Sequence, residues 1–446
     1  MQSMATIRPF RGILYDKEKI GDFSMVTAPP YDVISSSEQE ELYELSDFNV
    51  IRLILGKELA GDTDEHNKYT RARLAFQDWL QTNVLRQDDS PSIYIYEQEH
   101  ELKNGARAKR IGFIALVKLE PLETGRIRPH EKTLSRPKQD RFNLLKTARA
   151  SFCQIFGLYS DPKNEINPIL EDESQAEPEI EVVDNDLVTH RLWRIDKPLV
   201  SEAIAGIMSD KTLYIADGHH RYETALKFQD EMMKNTTDPN GAELFNYAMM
   251  TLVEMNNQEL TVLPIHRVLK NVNENDIRRL TENLKLYFDM ETIEFDDDTE
   301  ENQRAVFFDR LKTRGKKAHV FGMYSGNSKY YLLTLKDEQI LDKVLKEKHT
   351  KKWKKLDVAI LHSLIIDYLL HVKGTDSEIQ AHIEHIKDED EAIELVDSKR
   401  FQLAFFLNPT KLDQIKDISS QGEVLPQKST FFYPKLLSGL VMFRLD

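Results

Sequence analysis

The pattern of apolar positions changes period twice between residues 201 and 234. A helical pattern ends near residue 210. A short apolar run, Leu213 to Ala216, then reads as a strand. The five residues Asp217-Gly218-His219-His220-Arg221 follow. A second helical pattern starts at once, with Tyr222, Ala225, Leu226 and Met233 on one face. The stretch is therefore read as strand, tight turn and helix, and the rest of the chain is organised around it. Upstream, apolar runs predict strands at 7–14, 49–55, 92–101, 110–119, 152–160 and 187–195. Helices are expected after the capping box Ser35–Glu38 to about residue 45, over 64–85, and from about residue 141. Asn104-Gly105 supplies hairpin chemistry, and the acidic stretch 165–186 reads as a loop or insertion. Downstream, strands are expected at 246–254, 260–269, 318–323, 329–335 and 401–407. Helices are expected at 276–288, 300–313, 337–346, 356–371 and 410–419. The fold class is α/β or α+β with mixed sheets. Residues 1–272 are read as a main body, 273–400 as a smaller, strongly charged domain, and 401–446 as a C-terminal segment returning to the cleft of the main body.

Composition narrows the function. At 446 residues the chain is long enough for two or three domains. The net charge of −15 argues against a nucleic-acid partner, which needs a basic footprint. Cys153 is the only cysteine, so no disulfide framework or thiolate metal cluster is expected. It sits in an apolar run and reads as a buried small residue. No run approaches the roughly 18 apolar residues of a membrane span, and the chain reads as cytoplasmic. Its oligomeric state is not legible.

Candidate chemistry collects in five places. The turn Asp217–Arg221 opens a helix, whose first backbone N–H groups and dipole favour an anion. Gly218 permits a tight turn or a close ligand approach, and Arg221 suits a phosphate. The plainer alternative is an Asx-turn capping the helix. Val26–Ile34 contains two prolines and presents Tyr31 and Asp32, either as a stiff connector or as a pocket wall. The segment 125–141 gathers Arg126, Arg128, Lys132, Arg136, Lys138 and Arg141 around His130 and Glu131. Such a cluster suits a phosphorylated small ligand, and a carboxylate within it suits a general base. On spacing alone a solvated basic loop, with Glu131 neutralising it, is the slightly favoured reading. His266 and Arg267 follow Pro264 and are read as structural or as ligand contacts. Lys428, Ser429, Thr430 and Lys435 offer two ammonium groups and two hydroxyls to phosphate oxygens, without the glycine frame of a P-loop. The histidines at 362, 371, 382 and 385 match no metal motif and are read as structural, and no metal ligands are assigned.

These stretches carry a resemblance. Ala28-Pro-Pro-Tyr-Asp-Val-Ile34, Arg128-Pro-His-Glu-Lys132, Ala216-Asp-Gly-His-His-Arg-Tyr222, Leu263-Pro-Ile-His-Arg267 and Leu425-Pro-Gln-Lys-Ser-Thr-Phe-Phe-Tyr-Pro-Lys435 resemble, in order, the family called domain of unknown function 1015. More distantly, Pro-His-Glu followed by strand–Asp-Gly-His-His-Arg–helix is similar to the ParB/sulfiredoxin-like superfamily, and within it to free serine kinases. That resemblance implies a nucleotide-binding core. It implies phosphoryl transfer between ADP or ATP and a small hydroxy amino acid, L-serine or O-phosphoserine first, with Mg²⁺ and in a direction left open. Glu131 would be the catalytic base, with His130 and Asp217 beside it. Gly218, His219, His220, Arg221, Arg128, Lys428, Ser429 and Thr430 would hold phosphates. Tyr31, Asp32, His266, Arg267 and Lys435 would line the substrate pocket. Two alternatives stand beside this reading: a non-catalytic regulator binding a nucleotide or phosphometabolite, and a ParB-like DNA-binding role, which the acidic balance opposes.

Overall fold

The computed structural model describes residues 6–102, 105–133, 135–237, 239–256, 260–345, 349–374, 378–379 and 381–446. The side chains of residues 135 and 136 are outside that description, and so is Asn104 of the expected hairpin turn. The chain folds into two compact units. The first comprises Met1–Pro129, Thr133–Thr261 and Pro434–Asp446, and the second His130–Lys132 and Val262–Tyr433.

The first unit is built on a nine-stranded mixed sheet. Its order is Ile127–Arg128, Leu213–Asp217, Ile155–Tyr159, Tyr247–Glu254, Arg107–Lys118, Ile93–Glu101, Thr189–Ile195 and Ile180–Val183, with Ile7–Arg8 beside Arg107–Lys118. Arg107–Lys118 and Tyr247–Glu254 are buried over nearly their whole length. That is why they read as continuous apolar runs rather than alternating ones. Ile166, Leu170, Ile204, Met208 and Tyr222 bring three helices onto one core with the sheet: Asn167–Glu173, Pro198–Met208 and His219–Asn235. A second cluster, Phe142, Phe228 and Phe245, joins helix Ser135–Ala148 to helix His219–Asn235.

The second unit holds a six-stranded sheet in the order Phe288–Glu294, Lys329–Leu335, Val320–Tyr324, Leu403–Phe406, His266–Leu269 and Ile383–Ile386. Every neighbouring pair in it is antiparallel. Phe307 and Leu311 of helix Glu300–Gly315, and Ile393 and Val396 of helix Glu389–Asp397, pack on it. His266–Leu269 lies inside this sheet, so the unit begins near residue 262 rather than 273. Leu403–Phe406 also lies inside it, and only Pro434–Asp446 of the C-terminal segment belongs to the first unit.

Most expected elements are present, and three differ. Residues 49–55 form a helix, Ile51–Ile54, not a strand. The Asn49 side chain turns the chain there. It accepts from the Ile51 N–H at 2.9 Å and donates to the carbonyls of Met25 and Thr27. A short, fully buried apolar run does not distinguish helix from strand by period. The stretch 165–186 is not an unstructured insertion. Asp161 accepts the N–H groups of Glu165 and Ile166, and the helix Asn167–Glu173 follows. Ile180–Val183 then becomes the edge strand of the large sheet. The helix expected over 356–371 starts as Asp357–Ile360 and continues as a π-helix, Leu361–Leu369.

One ion cluster in the second unit gives its stability a pH dependence. His319 places Nδ1 2.6 Å from Asp357 and Nε2 3.4 Å from Glu338. Burial opposes its charge, but the two carboxylates override burial and raise the imidazole above its ordinary value. A raised folded-state value means that this contribution is fully present below the ordinary histidine range and is lost as pH rises through the raised value. Urea midpoints should therefore separate wild type from His319→Gln more at about pH 6 than at about pH 8.5. An equal separation at both values would contradict this.

Candidate functional site

The chemistry-bearing stretches form two constellations, one within each unit. The first lies at the end of strand Leu213–Asp217. Its pairing with Ile155–Tyr159 shifts register between Ile215 and Asp217, so Asp217 stands opposite Phe156. Such irregularities re-aim the side chain that follows. Gly218 then takes a left-handed conformation, φ 88° and ψ 28°, and opens the 17-residue helix His219–Asn235. No side chain caps this helix, so the Asx-cap alternative is not the arrangement adopted. The first intrahelical bond runs from the Tyr222 N–H to the Gly218 carbonyl, at 3.0 Å. Tyr222 is buried and donates its hydroxyl to the Glu120 carbonyl, which fixes the start of the helix on the core.

Asp217 is the electrostatic centre of this turn. Its Oδ2 lies 2.9 Å from an Arg221 guanidinium nitrogen and its Oδ1 3.1 Å from Lys435 Nζ. Burial works against the carboxylate, but Lys435 and then Arg221 outweigh it and hold the group far below the usual carboxylate range. Arg221 also donates to the Gln154 carbonyl, while its buried Nε has no hydrogen-bond partner among the described residues. A Cβ on residue 218 would come within 2.9 Å of that Nε, so the glycine serves both its own backbone angle and the guanidinium beside it.

The Pro-Pro-Tyr-Asp turn belongs to the same constellation. The Arg141 guanidinium lies 3.9 Å from the Tyr31 ring centre. Burial pushes the phenol up to about 12, and the charges of Arg141, Asp32, Arg221 and Asp217 all act on it. Asp32 is exposed, His219 buried and His220 half-buried. Tyr31, Arg141, Cys153 and Arg221, with Phe228 and Tyr247, line an apolar cavity of about 70 Å³. Burial raises the Cys153 thiol, in keeping with its reading as a packed small residue. Arg128 pairs with Tyr214 on the strand that leads to the turn, and its side chain is bonded to the Gly125 carbonyl and lies 5.8 Å from the Tyr214 ring.

The second constellation joins Pro-His-Glu to the loop at 425–430. The Leu425 N–H donates to the His130 carbonyl at 2.7 Å, and Glu131 bridges Leu425 in parallel. Glu131 Oε1 accepts the Lys428 N–H at 2.9 Å. His130 is buried, with Nε2 2.8 Å from Thr430 Oγ1. Ser429 donates its hydroxyl to the Pro426 carbonyl. The two hydroxyls read as phosphate ligands are thus buried and bonded within this loop, and Lys428 is exposed with φ 54°.

Arg267 is fully buried beneath the same loop. It donates to the carbonyls of Ile265 and Lys428 and to His362 Nε2. Burial lowers it to about 9, and the nearby Glu131 charge opposes that shift. His362 and His385 are pushed down to about 3 and about 2, first by burial and then by the Arg267 charge. Both act as neutral structural rings at ordinary pH. His266 packs edge-on against Phe406, with its Nδ1 3.3 Å from the Leu407 N–H.

Tyr96, Gln98 and Arg110, which hold the chain around Lys435, drew no attention in the sequence. Polar residues inside otherwise apolar strands were the available signal.

Replacing Gly218 by alanine should cost about 1–2 kcal/mol from the left-handed backbone alone. It should also displace the Arg221 guanidinium. Urea unfolding of Gly218→Ala measures the first effect. An unchanged midpoint would contradict the left-handed turn.

Several solved structures share a partial likeness with the chain. A free serine kinase variant in complex with ADP is 12% identical, with a TM-score of 0.34 over 69% of this chain and 84% of that one. A conserved hypothetical protein from Pyrococcus furiosus is 12% identical, with a TM-score of 0.33 over 70% and 89%. C-terminally truncated SbnI from Staphylococcus aureus is 12% identical, with a TM-score of 0.33 over 73% and 85%. Likenesses of this size say nothing of ligand or reaction. No curated protein matches the chain. Among the described residues, no helix is long and apolar enough to cross a membrane. The model of the family described as protein of unknown function, DUF1015, matches residues 7–359, and the chain belongs to that family.

Proposed function

We propose that the chain binds a nucleotide, ADP or ATP, through its phosphates at the Asp217–Arg221 turn. It moves a phosphoryl group between that nucleotide and a small hydroxy amino acid, with L-serine and O-phosphoserine the first choice. The observation that carries this is the uncapped helix start behind left-handed Gly218, flanked by the cations of Arg221 and Lys435. Helix N-termini present backbone donors and positive potential together, and a guanidinium and an ammonium add charge-assisted bonds to phosphate oxygens. Tyr31 and Arg141 stand beside the turn as the wall of the substrate pocket.

In the kinase direction the serine hydroxyl oxygen attacks the terminal phosphorus. A new O–P bond forms, the bond from that phosphorus to the bridging oxygen breaks, and the shortened nucleotide leaves. The hydroxyl proton goes to a general base, the role for which Glu131 is the candidate. Positioning and charge neutralisation supply most of the catalysis in such transfers. Among the described residues, no three metal-ligating side chains converge. Mg²⁺, commonly held by one or two carboxylates together with substrate phosphates, would when bound neutralise charge on the transferred group. The remaining work falls to the chain itself: Lys435 and Arg221 orient phosphate oxygens, Gly218 permits close approach, and Glu131 is the candidate to hold the proton. His130 and the Lys428 N–H fix the Glu131 segment from either side.

A second reading, a non-catalytic sensor of a nucleotide or phosphometabolite, draws on one observation. Glu131 already accepts the Lys428 N–H, which gives its carboxylate a structural role. The substitution Glu131→Gln separates the two. Phosphorus NMR of the protein with Mg²⁺, ADP or ATP and L-serine, and in parallel with O-phosphoserine, follows transfer in both directions. The enzyme reading expects transfer in wild type and a loss of about 100-fold or more in Glu131→Gln, with nucleotide affinity little changed. Nucleotide binding without transfer in either mixture would leave the sensor reading. Absence of nucleotide binding would overturn the enzyme reading and the nucleotide form of the sensor reading.

A further inference from the structure

A buried polar network in the first unit ends on the backbone that carries Lys435. Tyr96 and Gln98 lie two residues apart on strand Ile93–Glu101 and so share one face. Gln98 pairs directly with His190 on the neighbouring strand. The Leu437 N–H donates to the Tyr96 hydroxyl at 3.1 Å, and that hydroxyl lies 2.7 Å from His190 Nδ1. His190 Nε2 lies 3.0 Å from Asp184 Oδ2. With a neutral imidazole, the amide donates to Tyr96, the phenol donates to Nδ1, and Nε2–H donates to the carboxylate.

A second arm grips the two preceding carbonyls. Gln98 Nε2 donates to the Lys435 carbonyl at 2.8 Å. Arg110, buried in the sheet, donates from Nε to Gln98 Oε1 at 3.1 Å and from its terminal nitrogen to the Pro434 carbonyl. Gln154 Nε2 donates to the Leu437 carbonyl, and its own main-chain carbonyl receives Arg221. Buried side chains therefore hold the carbonyls of residues 434 and 435 and both the N–H and the C=O of Leu437. A buried cation, a histidine and a carboxylate are costly to place in a core unless every partner is supplied. A loop that only needed covering would be held by apolar packing.

We infer that Asp184–His190–Tyr96 and Arg110–Gln98 are positioning residues that fix Lys435 Nζ on Asp217, and so set the cation that meets the ligand phosphate. None of the five touches Asp217 in the contacts described above, and their action runs through the backbone at 434–437. The inference rests on the phosphate-binding reading for its functional consequence, but not for its structural content.

The test uses the full chain with Tyr96→Phe, Lys435→Ala and the double variant. Reductive methylation with formaldehyde and a borane, read by mass spectrometry, reports the accessibility of each lysine ammonium. Lys211, ion-paired to Asp161 at 3.1 Å in the same unit, is the internal control. Loss of one buried hydrogen bond should raise Lys435 modification about tenfold and leave Lys211 unchanged. ADP affinity should fall by a similar factor in Tyr96→Phe, and the phenylalanine should have no further effect in the Lys435→Ala background. Asp184→Asn, at the partly exposed end of the relay, should move Lys435 in the same direction by a smaller factor; it serves if Tyr96→Phe does not fold. Equal acceleration at Lys435 and Lys211, or a loss of affinity that adds to that of Lys435→Ala, would overturn the inference. If wild type binds no ADP, the phosphate reading fails, and the methylation ratio still decides the positioning.

Discussion

The first unit's candidate site depends on one half-buried carboxylate held between two cations. Asp217 closes its strand, and Arg221 and Lys435 each occupy one of its oxygens. Arg221 lies within the first turn of the following helix, and Lys435 comes from more than two hundred positions away in the sequence. One charge thus fixes both the start of the helix and the return of the C-terminal segment. Removing a single member would leave an unpaired, half-buried charge at the turn. Gly218 is the hinge of this geometry, since only a residue without Cβ takes its backbone angle beside the guanidinium without strain.

The second unit solves a related problem with a different device. Arg267 is buried, its guanidinium bonded to two carbonyls and a histidine, and it holds the Lys428 loop from below. The Lys428 N–H and the His130–Thr430 pair then fasten that loop to the Glu131 segment. Two rings with strongly lowered basicity, His362 and His385, keep further positive charge away from Arg267. The price of burying Arg267 is visible in its own depressed value. Glu131 is therefore held in one place, whether it serves as a base or as a structural acceptor.

Much of this was legible in the sequence. The strand–turn–helix at 213–235 follows from a change of hydrophobic period, and the motif residues Tyr31, Asp217, Gly218, Arg221 and Lys435 do assemble in one unit. What could not be read was partnership across long sequence separations. Ser429 and Thr430 have the composition of a phosphate site, yet their hydroxyls are bonded to Pro426 and His130. The helix at Ile51–Ile54 was hidden because a short buried run has no diagnostic period, and the Asn49 side chain that turns it acts through carbonyls at Met25 and Thr27. The split of the C-terminal segment at residue 434 was hidden because nothing in local composition marks where a chain leaves one core for another. Tyr96, Gln98 and Arg110 went unremarked for the same reason: a polar residue in a strand announces a partner but does not name it.

The claim that matters most is that the amides at the start of helix His219–Asn235 receive phosphate oxygens. Amide hydrogen exchange of the full chain, measured with and without ADP, tests it at the residues concerned. The account predicts slower exchange at His219, His220 and Arg221 when ADP is present. ADP binding that leaves these three amides unchanged while protecting another segment would contradict it.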